Sequence, residues 1–460
     1  MTNWSGKHVL ILGAARQGQA LARYLAGQNA HVILSDRNSS AQMMELAAEF
    51  ERRGIECVFG SHPLELLDRV ELVCLSGGIP LTLPIVQAAV ERGIPLTNDS
   101  QIFMESVKAR VIGITGSAGK TTTTTLVGRM AKAAIKAPNQ AWVGGNIGLP
   151  LIEYLDQILP DDLVILELSS FQLEQMTISP SVAAVLNITP NHLDRHGSMQ
   201  AYAAAKAHII DFQKPEDVAI LNREDMGSWK LEDEIHGSLV TFGMKRPKAY
   251  SIGTFFDGKD IKLQTADGVS TIMAREDILL RGEHFLMNVL AACAIANAAG
   301  LPLTAMRAGV VGFKGVEHRL ELVRTWQGTE WYNSSIATAP ERTLADLKAF
   351  SEPLILLLGG RDKDLPWDDL ARLIHDKVDH VIVFGEAAFK ILAAIGLLCP
   401  GEKLTSIACA ADFENALYQA AQISEPGDVI LLSPGCTAYD SFKDFEERGN
   451  FFKKWVNNLP

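Results

Sequence analysis

The sequence has six cysteines, Cys57, Cys74, Cys293, Cys399, Cys409 and Cys436, and none of them forms a CxxC pair. That excludes a zinc cluster or a disulfide framework and predicts a reducing compartment. Positive charge is in deficit: 42 Lys and Arg face 54 Asp and Glu, a formal net charge of −12. Phosphate-rich partners need a basic face, so broad contact with nucleic acid or an anionic membrane is excluded and only a local basic pocket remains open. No uninterrupted apolar run approaches the length needed to span a bilayer. The start, "MTNWSGKHVLILGAARQG", holds a short apolar run ending in glycine and predicts a first strand rather than a secretory leader. Low-complexity tracts and solenoid periods are also missing. What remains is ordinary for a globular chain, with 47% hydrophobic and 21% charged residues, and 460 residues leave room for two to four domains.

Short apolar runs alternate with helix-like segments. They read "HVLILG", "HVILSD", "ELVCLSGG", "RVIGITG", "LVILELSS", "AAVLNIT", "DVAILN", "LILLLGG", "HVIVFG" and "DVILLSPG". This pattern predicts an α/β protein with parallel sheets, whose ligands gather at the carboxyl ends of the strands. Three blocks are expected. Residues 1–99 form a Rossmann-like unit, 100–314 a central P-loop-type ATPase domain with a parallel sheet, and 315–460 a second Rossmann-like unit.

The segment "GITGSAGKTTTTT" follows the run "ARVI". A standard P-loop places four residues between its first glycine and the Gly-Lys pair. Here five separate Gly113 from Gly119, so the usable cradle is Gly116-Ser117-Ala118-Gly119-Lys120-Thr121, followed by Thr122. Glycines let backbone N–H groups turn to an anion, and a helix starting near Thr121 adds its positive end. Lys120 would reach the outer phosphates, and Thr121 would offer a hydroxyl to magnesium. In the first block, Gly13-Ala14-Ala15-Arg16-Gln17-Gly18 has alanine where a dinucleotide fingerprint prefers glycine, which disfavours NAD.

Other segments share this unusual cradle's context. They are "VGGNIGLPL" (143–151), "LELSSFQLE" (166–174), "LNITPNHLDRHGSMQAYAAAKAHI" (186–209), "GEHFLMNVLAA" (282–292), "GVEHRLELV" (315–323) and "SPGCTAYDSFKDFEERG" (433–449). In this order they resemble the motifs of the ATP-dependent Mur ligases and their folylpolyglutamate synthetase relatives. The resemblance implies that ATP activates a carboxylate to an acyl phosphate, which an amino-acid nitrogen then attacks to give an amide, ADP and phosphate. Within the family the motifs look most like those of members that take UDP-N-acetylmuramoyl-L-alanine and D-glutamate in cytoplasmic peptidoglycan synthesis. It further implies a monomer that neither binds nucleic acid nor enters the membrane.

By that resemblance, ATP and two magnesium ions are the cofactors. Lys120, His192 and Lys206 are catalytic, with Lys206 carbamylated. Thr121, Glu167, His192 and Lys206 hold metal, supported by Asp194 and Arg195. Gly116 to Thr122, Asn288, Arg319 and Ser334 are expected to meet ATP, with His318 supporting that junction. Arg16, Gln17, Asp36, Arg37, Gly78, Asn146, Ser169 and Gln172 are candidates for the UDP substrate. Thr338, Lys363, Ala438, Tyr439 and Phe445 are candidates for the amino acid.

Several positions depart from the family's usual residues. Ser334 stands in place of a ribose-binding aspartate, Phe285 in place of the asparagine of "GEHN", and Ala438 in place of a serine. Ile336 replaces a frequent lysine, Asn191 an aspartate and Ala118 an asparagine. Losing a hydrogen bond to a charged ligand group costs about 1.5–3 kcal/mol. A sister ligase for another amino acid and a nucleotide-binding homologue without catalysis therefore stay open.

Overall fold

The computed structural model describes residues 3–279, 282–398 and 401–460. Cys399 falls outside the described residues, and so does the Asp194 side chain. The chain divides into two compact units, Met1–Ile278 with Met287–Val311, and Leu279–Leu286 with Gly312–Pro460.

The first unit carries two sheets. One is five-stranded and parallel, in the order Glu56–Phe59, His31–Asp36, His8–Leu12, Leu72–Leu75, Leu96–Asn98. The chain leaves His8–Leu12 on one side for the next strands and returns on the other, so a topological switch point lies at its carboxyl end. Gly18, in the helix Arg16–Gly27, packs there so closely that a Cβ would sit 1.9 Å from the Gly13 carbonyl oxygen.

The other sheet has nine strands. They run Gly268–Ala274, Asp260–Thr265, Ile252–Phe256, Ser238–Phe242, Val218–Asn222, Val182–Val185, Arg110–Thr115, Leu163–Glu167, Ala141–Gly145. The strands from Ile252–Phe256 to Ala141–Gly145 are parallel, and the Asp260–Thr265 and Gly268–Ala274 hairpin is antiparallel. The central strands Leu163–Glu167 and Val182–Val185 are apolar up to Glu167, as a sheet covered on both faces requires. Leu126, Val127 and Met130 of the helix Lys120–Ala134 are buried in this unit.

The second unit has a six-stranded sheet in the order Glu321–Trp326, Thr329–Asn333, Val429–Gly435, Leu354–Gly359, His380–Phe384, Ser406–Cys409. Its first two strands form an antiparallel hairpin and the rest are parallel. Trp331, Phe413, Phe452 and the aliphatic side chains of Ile355, Leu357, Ile430 and Leu432 form one core cluster. No helix among the described residues is long and apolar enough to cross a membrane.

Candidate active site

The strand Arg110–Thr115 ends in Gly116 at φ +157°, and the loop reaches Gly119 at φ +83° before the helix Lys120–Ala134 begins. Gly119 is required twice over. Its left-handed backbone disfavours a side chain, and a Cβ would meet Asn288 Oδ1 at 2.3 Å. Asn187 clamps the loop from the neighbouring strand end. The Ser117 N–H donates to its carbonyl at 2.9 Å and the Ala118 N–H to its Oδ1 at 2.8 Å. The Ser117 hydroxyl donates to the Thr189 carbonyl at 2.9 Å and lies 3.0 Å from the Tyr202 hydroxyl. Lys120 Nζ donates to the Gly116 carbonyl at 2.8 Å. Thr122 is fully buried, backbone and side chain alike.

Parallel register sets Glu167 between two functional segments, opposite Ile114 on one side and Gly145 on the other. Its carboxylate, 2% exposed, accepts from Thr121 Oγ1 at 2.8 Å and from Asn146 Nδ2 at 2.9 Å. A buried carboxylate with these neutral partners and an adjacent hydroxyl is a hard oxygen donor set, which suits magnesium. Among the described residues no group of three or more His, Cys, Asp or Glu converges on one point.

Lys206 sits on the helix Met199–Asp211 and is 1% exposed. Its Nζ donates to the Gly116 carbonyl at 3.1 Å and to Thr115 Oγ1 at 3.3 Å, and lies 4.8 Å from the centre of the Tyr202 ring. Burial, and then the charge of Lys120, lower its pKa to about 6, against the opposing pull of Glu167. A bare amine here does not fit a metal, whereas a carbamate would. His192 is exposed in a left-handed backbone at φ +54°, with its ring edge-on to Phe171 at 5.1 Å. The Arg195 guanidinium lies 3.8 Å over the same Phe171 ring and donates to the carbonyls of Gly77 and Ile79, at 3.2 and 2.7 Å. It thereby links this segment to the loop that carries Gly78.

The first sheet's candidates divide. Gln17 Nε2 donates to the Gly145 carbonyl at 2.6 Å, next to Asn146. Asp36 accepts from the Ala14 N–H at 2.7 Å and the Asn38 N–H at 2.8 Å, which fixes the loop before the first helix. Arg16, Arg37 and Gly78 are exposed. Ser169 and Gln172 form a capping box at a short helix, and Gln172 Nε2 donates to Ser100 at 2.9 Å. The Gln172 amide is thus engaged inside the protein.

In the second unit, buried His318 lies 2.9 Å from Asn333 Nδ2, and its N–H donates to Glu321. Ser334 is 1% exposed and bonds the Asp346 carboxyl, which also accepts from Ser433 Oγ at 2.8 Å. Burial raises that carboxyl to about 6, against these two hydroxyls and the charges of Arg319 and Arg342. Lys363 Nζ lies 3.4 Å from Thr338 Oγ1. Tyr439 is exposed, Ala438 is buried, and the half-buried Phe445 accepts from Ser335 Oγ through its carbonyl. Phe285 is buried and shares a cavity of about 230 Å3 with Leu320, Tyr332 and Phe350.

Sequence reasoning missed Asn187, Tyr202 and, above all, Arg448. The Arg448 guanidinium is fully buried, and among the described residues no carboxylate bonds it. It donates to the carbonyls of Ser335, Gly359, Cys436 and Thr437 and to Ser335 Oγ. One side chain thus ties together the three loops that bear Ser334 and Thr338, Lys363, and Ala438 with Tyr439. Its signal was an arginine within the acidic helix start "FEERG".

Three family descriptions match the chain: Mur ligase MurD-like N-terminal domain over residues 7–98, Mur ligase middle domain over 114–296, and Mur ligase glutamate ligase domain over 318–436. A UDP-N-acetylmuramoylalanine--D-glutamate ligase of Symbiobacterium thermophilum is 39% identical, over 98% of this chain and 97% of that protein. One of the same name from Pelotomaculum thermopropionicum is 37% identical over 100% and 99%. Among solved structures, a MurF ligase of Thermotoga maritima in complex with ADP is alike at a TM-score of 0.57, with 17% identity over 98% of this chain and 95% of that one. A MurC of the same organism also gives 0.57, at 17% identity over 98% and 99%. At such identity these two structures speak for the fold alone. Matches to all three family domains in order, with relatives alike over nearly the whole length, establish that this chain belongs to the Mur ligase family.

Proposed function

We propose that this protein is an ATP-dependent ligase that adds D-glutamate to UDP-N-acetylmuramoyl-L-alanine, in the cytoplasmic stage of peptidoglycan precursor synthesis. The observation that carries the reading is the shared cluster at the phosphate loop. Lys120 and Lys206 converge on the Gly116 carbonyl while Thr121 and Asn146 hold the Glu167 carboxylate. The name of the near-full-length relatives supplies the substrates.

Two magnesium ions are proposed, one held by Thr121 and Glu167 and one by His192 with carbamylated Lys206; when bound they offset the charge of the two anions that must meet. The chain's own residues do the rest. The loop's backbone N–H groups and Lys120 orient the outer phosphates of ATP, with Asn288, Arg319 and Ser334 along the nucleotide. The substrate carboxylate attacks the terminal phosphorus and ADP leaves. The glutamate nitrogen then attacks the acyl carbon, phosphate leaves, and the nitrogen gives up its proton. Arg16, Gln17, Asp36, Arg37 and Gly78 take the uridine nucleotide, and Asn146, Ser169 and Gln172 the muramoyl-alanine part. Lys363 pairs with a glutamate carboxylate, beside Thr338, Ala438, Tyr439 and Phe445. The proposed domains are 1–99, 100–314 and 315–460, in a monomer without nucleic-acid partners.

Amino-acid-dependent phosphate release with UDP-N-acetylmuramoyl-L-alanine and ATP tests this. Stimulation by D-glutamate alone supports it. Stimulation by another amino acid selects a sister ligase. The inward turn of Ser334 onto Asp346 favours one second reading, a nucleotide-binding homologue, and ATP binding without turnover would select that.

A further inference from the structure

The parallel strands Ser238–Phe242 and Ile252–Phe256 are joined by only nine residues, 243–251. Parallel neighbours need a crossover, and a longer one carries a helix that covers the sheet face. Here no helix intervenes, and the place it would fill is a groove of about 950 Å3. Ligand pockets span roughly 300–1,000 Å3. The groove lies between the segment Met226–Glu234 and the joining loop, over Leu239 and Thr241. Three strand spacings separate Ser238–Phe242 from the phosphate-loop strand, about 14 Å at 4.8 Å each.

The lining is cationic in a chain that is acidic as a whole. Arg223, Lys245, Arg246 and Lys248 face it, against Glu224 and Glu232. Glu224 is engaged by the Lys245 N–H at 2.7 Å. Arg223 donates to Thr241 Oγ1 and to the carbonyls of Gly243, Lys245 and Thr254, none of which neutralises its charge. Its buried Nε has no hydrogen-bond partner. The positive charge of Arg223 adds to those of Lys245, Arg246 and Lys248 in attracting an anion to the groove. Two aromatic rings complete the walls, Trp229 and Tyr250. Tyr250 is 99% exposed and held at φ +65°, a conformation that a bulky side chain rarely adopts. An exposed ring at Tyr250 and a half-buried one at Trp229, beside cations, provide a stacking surface for a base.

We propose that this groove is a second ligand site, for a phosphorylated nucleoside, distinct from the phosphate loop. Arg223, Lys245 and Lys248 would take the phosphate, and Trp229 and Tyr250 would flank the base. The site stands whether or not the ligase reading holds.

Equilibrium dialysis of the full chain with ADP tests it. In a Lys120→Ala background, which weakens the phosphate loop, ADP binding at the groove should persist. Adding Lys245→Glu and Lys248→Glu should weaken it by about tenfold or more, and raised salt should weaken it too. The same two reversals in the otherwise native chain should leave turnover unchanged, and their exposed positions leave the fold intact, checked by circular dichroism. Pyrophosphate should bind more weakly than ADP. ADP binding that disappears with Lys120→Ala, or that ignores the two reversals, overturns the site. Pyrophosphate binding as tightly as ADP overturns the nucleoside assignment.

Discussion

Lys206 shares the Gly116 carbonyl with Lys120, at 3.1 and 2.8 Å, and two ammonium groups on one carbonyl repel. Burial and that repulsion bring its pKa from 10.5 to about 6. At pH 7.5 a pKa of about 6 leaves roughly 97% of the amine neutral, against about 0.1% for an unperturbed lysine. The fraction able to react with carbon dioxide therefore rises about a thousandfold. The neutral nitrogen bonds the carbon of CO2 and one proton is released, which leaves an anion where a neutral amine stood. The assay is turnover of the intact enzyme in CO2-depleted buffer, before and after bicarbonate is added, with 13C NMR for a carbamate carbon. Depletion should lower the rate and bicarbonate should restore it. Lys206→Ala should lose on the order of a hundredfold or more in kcat, as for loss of a charge-stabilising group, with partial rescue by short carboxylates. Full turnover by Lys206→Ala, or full turnover of depleted enzyme with no carbamate signal, would refute the reasoning.

Gly119→Ala should cost about 1–2 kcal/mol for the left-handed backbone and displace Asn288, with ATP affinity falling by titration and stability falling by urea unfolding. Arg448→Met takes a donor from four buried carbonyls, of which Thr437 keeps the Arg361 N–H, and unfolding followed in the second unit should show a loss of about 3–5 kcal/mol. Ser334→Asp sets a second carboxylate against Asp346; it should lower stability and fail to improve ADP binding, while the double variant with Asp346→Asn should recover stability. Because Asp346 is raised from 3.8 to about 6, the folded chain binds more protons than the unfolded one between those values. Stability should therefore fall as pH rises through that window, and Asp346→Asn alone should remove this part of the slope in pH-dependent unfolding.

The ten apolar runs quoted from the sequence all lie on strands, because strands covered on both faces need unbroken apolar residues. Ten further strands among the described residues were left unread, interior ones such as Ser238–Phe242 and Thr329–Asn333 included. Glu56–Phe59 and Leu96–Asn98 are short edge strands, and Gly268–Ala274 is the outer strand of a hairpin with its first four residues exposed. The site was legible where function is written in local spacing. The turn from strand to helix at the cradle is one such case, whereas Ser169 and Gln172, read as substrate candidates, form a capping box. Asn187, Tyr202 and Arg448 were not legible, because Asn187 and Tyr202 meet partners 69 and 85 residues away and Arg448 joins near segments to ones 89 and 113 residues away. Only the fold brings such groups together.

Three of the departures, Phe285, Ser334 and Ala438, fall in the second unit, and all three are buried. Each is absorbed by its surroundings. Phe285 joins the aromatic wall with Tyr332 and Phe350, Ser334 bonds Asp346, and Ala438 follows the Cys436 and Thr437 carbonyls that Arg448 holds. The hydrogen-bonded cluster of Lys120, Thr121, Asn146, Glu167 and Lys206 lies in the first unit and carries no such replacement. Residues that bind nucleotide and amino acid alike in ground and transition states affect KM, whereas groups acting on developing charge affect kcat. The expected kinetic signature is therefore a raised KM for ATP and D-glutamate with kcat preserved. A lowered kcat at saturating substrates would mean that the replaced positions act on the chemical step after all.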